Sequence, residues 1–178
     1  IAAEVMQRLH APGKRPAPSG LQPLFERYEA LFAKAKQDGA ADIASPYVEA
    51  AALAQQLLDD AHGICPLHGD IHHENILESP RGWLAIDPKG VLGDPGFDAA
   101  NLFYNPLERD ALCMDAERIA RMAGQLSHSM GQDPRRLLDH AFAYGCLSAA
   151  WHHGDNNAAD EGRELAVAGA IRAVRSGF

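Results

Sequence analysis

The sequence predicts an α+β chain, mainly helical, with one small antiparallel β hairpin inserted before its middle. Three observations predict it. Apolar residues recur at helical spacing over most of the length; short apolar stretches separated by polar loops are confined to residues 64–87; and no internal repeat or low-complexity segment breaks the pattern. At 178 residues the chain fits one domain, or one sizeable lobe of a larger protein, and is long enough to bury its own core.

Ala2, Val5, Met6 and Leu9 place a short helix from Ile1 to about Leu9, with helical patterning under way at the first residue. That start has neither a signal-peptide pattern nor a polar lead-in, so upstream residues are expected. Three prolines and two glycines make a loop of residues 11–20. Leu24, Tyr28, Leu31, Phe32 and Ala35 then give an amphipathic helix that ends at Gly39. Ser45-Pro46, an N-cap followed by proline at the first helical position, opens a helix to about Ala61. The stretches Ile64–Leu67, Ile76–Leu77 and Trp83–Ile86, with a turn at Pro80-Arg81-Gly82, read as short strands joined by a hairpin. After a loop from Asp87 to Gly96, helices are predicted at about 99–104, 115–130, 134–153 and 159–174, and Asp133-Pro134 repeats the cap-then-proline signal.

Composition narrows the function classes. With 47% hydrophobic and 22% charged residues, and no apolar run near the roughly 20 residues of a membrane span, a soluble, cytoplasmic protein with no membrane partner is expected. Cys65, Cys113 and Cys146 are odd in number and far apart, which predicts reduced thiols. A net charge of −8 argues against nucleic acid as a partner, since backbone phosphates are bound by clustered Lys and Arg, and it suits a cationic substrate.

The chemistry lies in Leu67-His-Gly-Asp-Ile-His-His-Glu-Asn-Ile-Leu77 and in Trp83-Leu-Ala-Ile-Asp-Pro-Lys-Gly90. Asp70 and Asn75 share a loop five positions apart, and a third oxygen donor, Asp87, directly follows an apolar strand. Magnesium takes oxygen ligands and bridges protein carboxylates to substrate phosphates, so Asn75 and Asp87 suit the ion and leave Asp70 free. Phosphoryl transfer needs the acceptor hydroxyl aimed at the terminal phosphorus and the phosphate charge offset by metal and donors. Asp70 would orient that hydroxyl and accept its proton. The order His-x-Asp-x-x-x-x-Asn, then a strand ending in Asp, matches the catalytic loop and metal-binding aspartate of protein-kinase-like enzymes.

His68-Gly69-Asp70 through Asn75 resembles the signature of aminoglycoside phosphotransferases. The stretch from Trp83 to Asn101 resembles the aminoglycoside/hydroxyurea resistance kinases, which include streptomycin kinases. The resemblance implies an ATP-dependent phosphotransferase acting on a hydroxyl of an antibiotic, streptomycin first, and a protein-kinase-like carboxy-terminal lobe over residues 1–178. It implies Asp70 as base, Asn75 and Asp87 as Mg2+ and nucleotide-side ligands, and Asp98 as a support of the catalytic loop; His68 is expected to pack and hydrogen-bond inside that loop rather than to transfer a proton. Acidic residues near the carboxy-terminal helices, here Asp155, Asp160, Glu161 and Glu164, would receive the substrate's cationic groups. Asp-Pro-Lys stands where protein kinases have Asp-Phe-Gly. Neither GxGxxG nor GxxxxGK[ST] occurs, and Lys14, in a Pro-rich loop, is no strand lysine, so the amino-terminal nucleotide-binding lobe of such a kinase is not in this sequence.

Other readings stay open beside this one. Asp98 precedes a predicted helix and suits an N-cap; Lys89 suits either a phosphate contact or a solvated loop position; and the acids of the last helix suit its dipole. A kinase of another small amino alcohol or sugar uses the same chemistry. A binding-only remnant would hold a cationic ligand without transferring phosphate. His68, Asp70, His72 and His73 together resemble a hydrolase metal cluster, with His152 and His153 as the remaining nitrogen donors.

Overall fold

The computed structural model describes residues 1–12, 17–41, 43 and 45–178. Lys14 and its neighbours Gly13, Arg15 and Pro16 lie outside the described residues. Helix α1 spans Ala2–His10, strand β1 Gln22–Pro23, α2 Leu24–Arg27, α3 Glu29–Ala40 and α4 Pro46–Asp59. Strand β2 is Cys65–Leu67; a single 3-10 turn, His73–Asn75, leads into β3, Ile76–Ser79, and β4, Gly82–Ala85, follows. Strand β5 is Val91–Gly93 and α5 Gly96–Ala100, continued by a 3-10 segment, Asn101–Tyr104. Helices α6, Asp110–Cys113, α7, Ala116–Met130, α8, Pro134–Gly154, and α9, Ala158–Arg175, complete the chain.

The longer helices fall where periodicity and caps place them. The Asp115 carboxylate accepts from the Arg118 amide at the start of α7, and Asp133 accepts from the Arg136 amide at the start of α8, ahead of Pro134. At Ser45 the proline signal marks the start of α4, but the serine side chain makes no cap hydrogen bond. The single helix expected over 21–39 is in fact β1, α2 and α3. Tyr28, at φ −82° and ψ 0°, stays close enough to helical geometry for the apolar spacing to run on across the break.

Two small sheets form rather than one hairpin. The predicted β3–β4 hairpin is present, antiparallel, with Ile76 opposite Ala85. Strand β2 joins a second sheet of order β1-β5-β2, in which β5 pairs antiparallel to β2 and parallel to β1. Strand β5 lies inside the stretch expected to be loop. Its Gly93 is packed so closely that a Cβ there would stand 2.7 Å from Leu24 Cβ.

Helix α8 is the core, buried on almost every side from Leu137 to Ala150 and packed by α9, α5, α4, α3 and α7. An aromatic run ties α5 to it: Tyr28 meets Phe97 edge-on at 5.7 Å, Phe97 meets Tyr144 at 5.6 Å, and Tyr104 meets Tyr144 at 5.7 Å. Gly145 leaves room for the Tyr104 hydroxyl, which donates to the Ala141 carbonyl at 2.9 Å. Among the described residues no helix is long and apolar enough to cross a membrane.

Candidate functional site

The loop between β2 and β3 is shaped by one buried carboxylate. Asp98, 1% exposed, accepts the His68 backbone N–H through Oδ2 at 2.8 Å and the Gly69 N–H through Oδ1 at 2.7 Å. The His10 ring meets Oδ2 at 2.8 Å from α1. Helix α5 starts at Gly96, so Asp98 lies within it rather than capping it; Asp94 takes the cap-like place, its Oδ1 accepting from the Gly96 N–H at 2.8 Å. Gly69 bends the loop at φ +81°, and a Cβ there would come 2.7 Å from Val91 Cγ2, so both conformation and space call for glycine.

His68 is 1% exposed and both ring nitrogens are engaged. Nε2 lies 2.7 Å from the Ile86 carbonyl, which only accepts, so Nε2 carries the proton; Nδ1 then accepts from the Asp70 N–H at 3.2 Å. The ring thereby links the loop to the end of β4. The Ile86 N–H donates to the Asn75 carbonyl at 3.0 Å, which brings Asn75 and the segment entering Asp87 to the same open end of the hairpin.

Asp70, Asn75 and Asp87 converge on this edge. Asp70 is half-buried; its Oδ1 accepts from Asn101 Nδ2 at 2.9 Å, and its Oδ2 lies 3.6 Å from Lys89 Nζ. Asn75 donates its side-chain NH2 to the Asp70 carbonyl at 2.9 Å, which leaves its side-chain oxygen as the outward acceptor. Asp87 is exposed, at φ +58°, and Lys89 Nζ donates to its Oδ2 at 2.6 Å. That bond holds the Asp87 carboxyl below the usual carboxylate range and raises Lys89. Lys89 is thus neither simply solvated nor remote: its ammonium lies between the two carboxylates. A cleft of about 510 Å³ lined by Ile1, Leu102, Met122 and Leu126 shares only His73 with this loop.

The acids near the carboxy-terminal helices divide. Asp155 is exposed at the end of α8, and Asp160 accepts from the Asn157 side chain at 2.6 Å within the first turn of α9. Glu161 accepts from the Tyr47 hydroxyl at 2.7 Å and lies 3.1 Å from His153 Nδ1; the tyrosine bond, ahead of the histidine, lowers its carboxyl. Glu164 is 6% exposed and pairs with Arg163 at 2.6 Å. Burial raises the Glu164 carboxyl against that pairing. His72 and His73 meet edge-on with centroids 6.1 Å apart, and among the described residues no group of three His, Cys, Asp or Glu is placed to hold a metal ion. With both His68 nitrogens already engaged, the His-rich hydrolase cluster does not assemble.

Several residues of the site carried no role in the sequence reading: His10, Asp94, Asn101 and Asn105, whose side-chain NH2 donates to Asn101 Oδ1. Asn101 had a signal, since it falls three positions after Asp98 and so on the same side of a helical turn. His10 had none, because it reaches Asp98 across 88 residues of sequence.

Residues 1–156 match the family described as aminoglycoside/hydroxyurea antibiotic resistance kinase. Streptomycin 3''-kinase of Klebsiella pneumoniae is 43% identical over 159 residues, covering 87% of this chain and 57% of that protein. Streptomycin 6-kinase of Streptomyces griseus is 31% identical over 179 residues, 96% of this chain and 56% of that protein. Hydroxyurea phosphotransferase of Kitasatospora aureofaciens is 32% identical over 120 residues, 67% of this chain and 33% of that protein. The match therefore spans little more than half the length of each of these two streptomycin kinases. No solved structure matches it. The chain belongs to the aminoglycoside/hydroxyurea antibiotic resistance kinase family.

Proposed function

We propose that this chain is the catalytic, substrate-side lobe of a protein-kinase-like phosphotransferase that moves the terminal phosphate of ATP to a hydroxyl of an aminoglycoside, streptomycin first, and so confers resistance. A nucleotide-binding lobe encoded upstream would complete the enzyme, and ATP supply places it in the cytoplasm. The observation that carries the reading is the Asp70 carboxylate: half-exposed, one oxygen held by a neutral amide, in a loop clamped by buried Asp98, beside the oxygen donors Asn75 and Asp87.

In this mechanism Asp70 orients the acceptor hydroxyl and takes its proton as the oxygen bonds to the terminal phosphorus and the bond to the departing nucleotide breaks. The donor set of Asn75 and Asp87 fits magnesium, which prefers oxygen ligands, and the Lys89 ammonium already placed against Asp87 indicates that this edge favours positive charge. When bound, the ion offsets charge on the phosphate oxygens. Lys89 shields the same charge, while His68 and Asp98 keep the loop in shape. For the substrate's cations the reading assigns Asp155, Asp160 and Glu161, whose carboxylates reach solvent, with Glu164 supporting the helix beneath them.

The test is phosphate transfer from ATP and magnesium, by the full-length protein, to streptomycin, other aminoglycosides, hydroxyurea, choline and homoserine, with the modified atom located in each product. Transfer to streptomycin alone is expected. Transfer only to choline or homoserine would replace the substrate class and keep the chemistry. Binding of streptomycin with no transfer to any acceptor would leave a binding-only protein.

A further inference from the structure

We infer that Asn101 is a positioning residue that fixes which oxygen of Asp70 meets the acceptor hydroxyl; this rests on Asp70 acting as the base. Asn101 is 7% exposed, at the junction of α5 and the 3-10 segment, and its Nδ2 donates to Asp70 Oδ1 at 2.9 Å. Its amide has one orientation. Asn105 Nδ2 donates to Asn101 Oδ1 at 3.1 Å and to the Asn101 carbonyl at 3.1 Å, so the Asn101 oxygen is an acceptor and its NH2 must face Asp70. The relay Asn105 to Asn101 to Asp70 occupies Oδ1 and leaves Oδ2, 3.6 Å from the Lys89 ammonium, as the oxygen without a hydrogen-bond donor.

The support under this relay is rigid. The carbonyls that end the 3-10 segment are gathered by two arginines: Arg118 Nη2 donates to Asn105 O at 2.6 Å and Arg118 Nη1 to Phe103 O at 3.3 Å, while Arg163 Nη2 donates to Tyr104 O at 2.8 Å. A carboxylate free to rotate would present either oxygen at varying angles. One held at Oδ1 presents Oδ2 in a single direction, which is what in-line transfer requires of its base.

The experiment compares Asn101→Ala, Asn101→Asp, Asn105→Ala and Asp70→Ala in the full-length protein, with kcat and KM for both substrates and a thermal melt for each. Asn101→Ala is expected to lower kcat by about 10- to 100-fold with both KM values within about twofold. Asn101→Asp, equal in shape but without the donor, is expected to lower kcat at least as much. Asn105→Ala keeps Asn101 but frees its amide, and is expected to give a smaller loss. In the Asp70→Ala background, assayed by slow single turnover, Asn101→Ala should have no further effect, since a positioning residue acts only through its partner. Parental kcat in both Asn101 variants, or full additivity with Asp70→Ala, would overturn the inference while Asp70 remained the base. Near-parental turnover in Asp70→Ala would instead overturn the reading on which it rests. Should Asn101→Ala melt early, Asn101→Asp and Asn105→Ala carry the comparison.

Discussion

The loop at Asp70 and the corner where α8 meets α9 are both rich in acid, yet they use it in opposite ways. At the corner the carboxylates are largely occupied: Glu161 by Tyr47 and His153, Asp160 by Asn157, Glu164 by Arg163. At the loop the buried carboxylate, Asp98, is fully engaged, and Asp70 keeps one oxygen, Oδ2, with no hydrogen-bond donor and only the Lys89 ammonium 3.6 Å away. A cluster of acids is therefore no guide to chemistry by itself; what distinguishes the loop is a second acid that holds the backbone while the first keeps one oxygen without a donor.

That contrast is broken or sharpened first by Asp70→Ala. Turnover should fall by about 10²- to 10⁴-fold while melting temperature and nucleotide affinity stay near parental values. Parental turnover would move the base elsewhere. Asp98→Ala should act on stability instead, because two backbone N–H groups and the His10 ring lose a buried charged partner; urea unfolding should show a loss of about 3 kcal/mol. A variant with unchanged unfolding would mean that the clamp contributes nothing.

Asp94 extends the test to pH. Burial alone would raise its carboxyl, but the His140 ring, Arg136 and the Gly96 N–H together outweigh that and hold it far below the usual range. A carboxylate depressed on folding contributes its full stability above its unfolded value of about 4 and loses it as the pH falls below that. Unfolding followed between pH 6 and 2 should show this decline, and Asp94→Asn, destabilised throughout, should show a shallower one; parallel curves would remove Asp94 as the cause.

Gly69→Ala should cost about 1 to 3 kcal/mol, from the positive φ and the contact with Val91, and should lower turnover through the displaced loop. The smallest effect is expected at the corner. Glu161→Gln should raise KM for streptomycin by about fivefold, on the order of 1 kcal/mol, with kcat unchanged. A kcat effect there would erase the distinction between the two regions.

How much of this was legible in the sequence follows from the range of the interactions. Helices α7, α8 and α9 were readable because period and cap are local, as Asp133-Pro134 illustrates. Strands β1 and β5 were not, since two or three residues hold no period and their pairing joins Gln22 to Val91. Asp70, Asn75 and Asp87 were legible as chemical types at a spacing, and the structure gathers them on one edge of the hairpin. The sequence left Lys89 open between a phosphate contact and a solvated loop position; its pairing with Asp87 and Asp70 was not legible, because it depends on the positive-φ turn at Asp87. The relay through Asn101 and Asn105 needed α5 to pass into a 3-10 segment, a change of pitch that no residue pattern announces.

The clamp at Asp98 also bears on the order in which the protein is made. His68 and Gly69 leave the ribosome about thirty residues ahead of the carboxylate that holds their amides, and His10 precedes it by 88. A nascent chain that stops short of residue 98 already carries Asp70, Asn75 and Asp87, yet lacks the group that gives their loop its form.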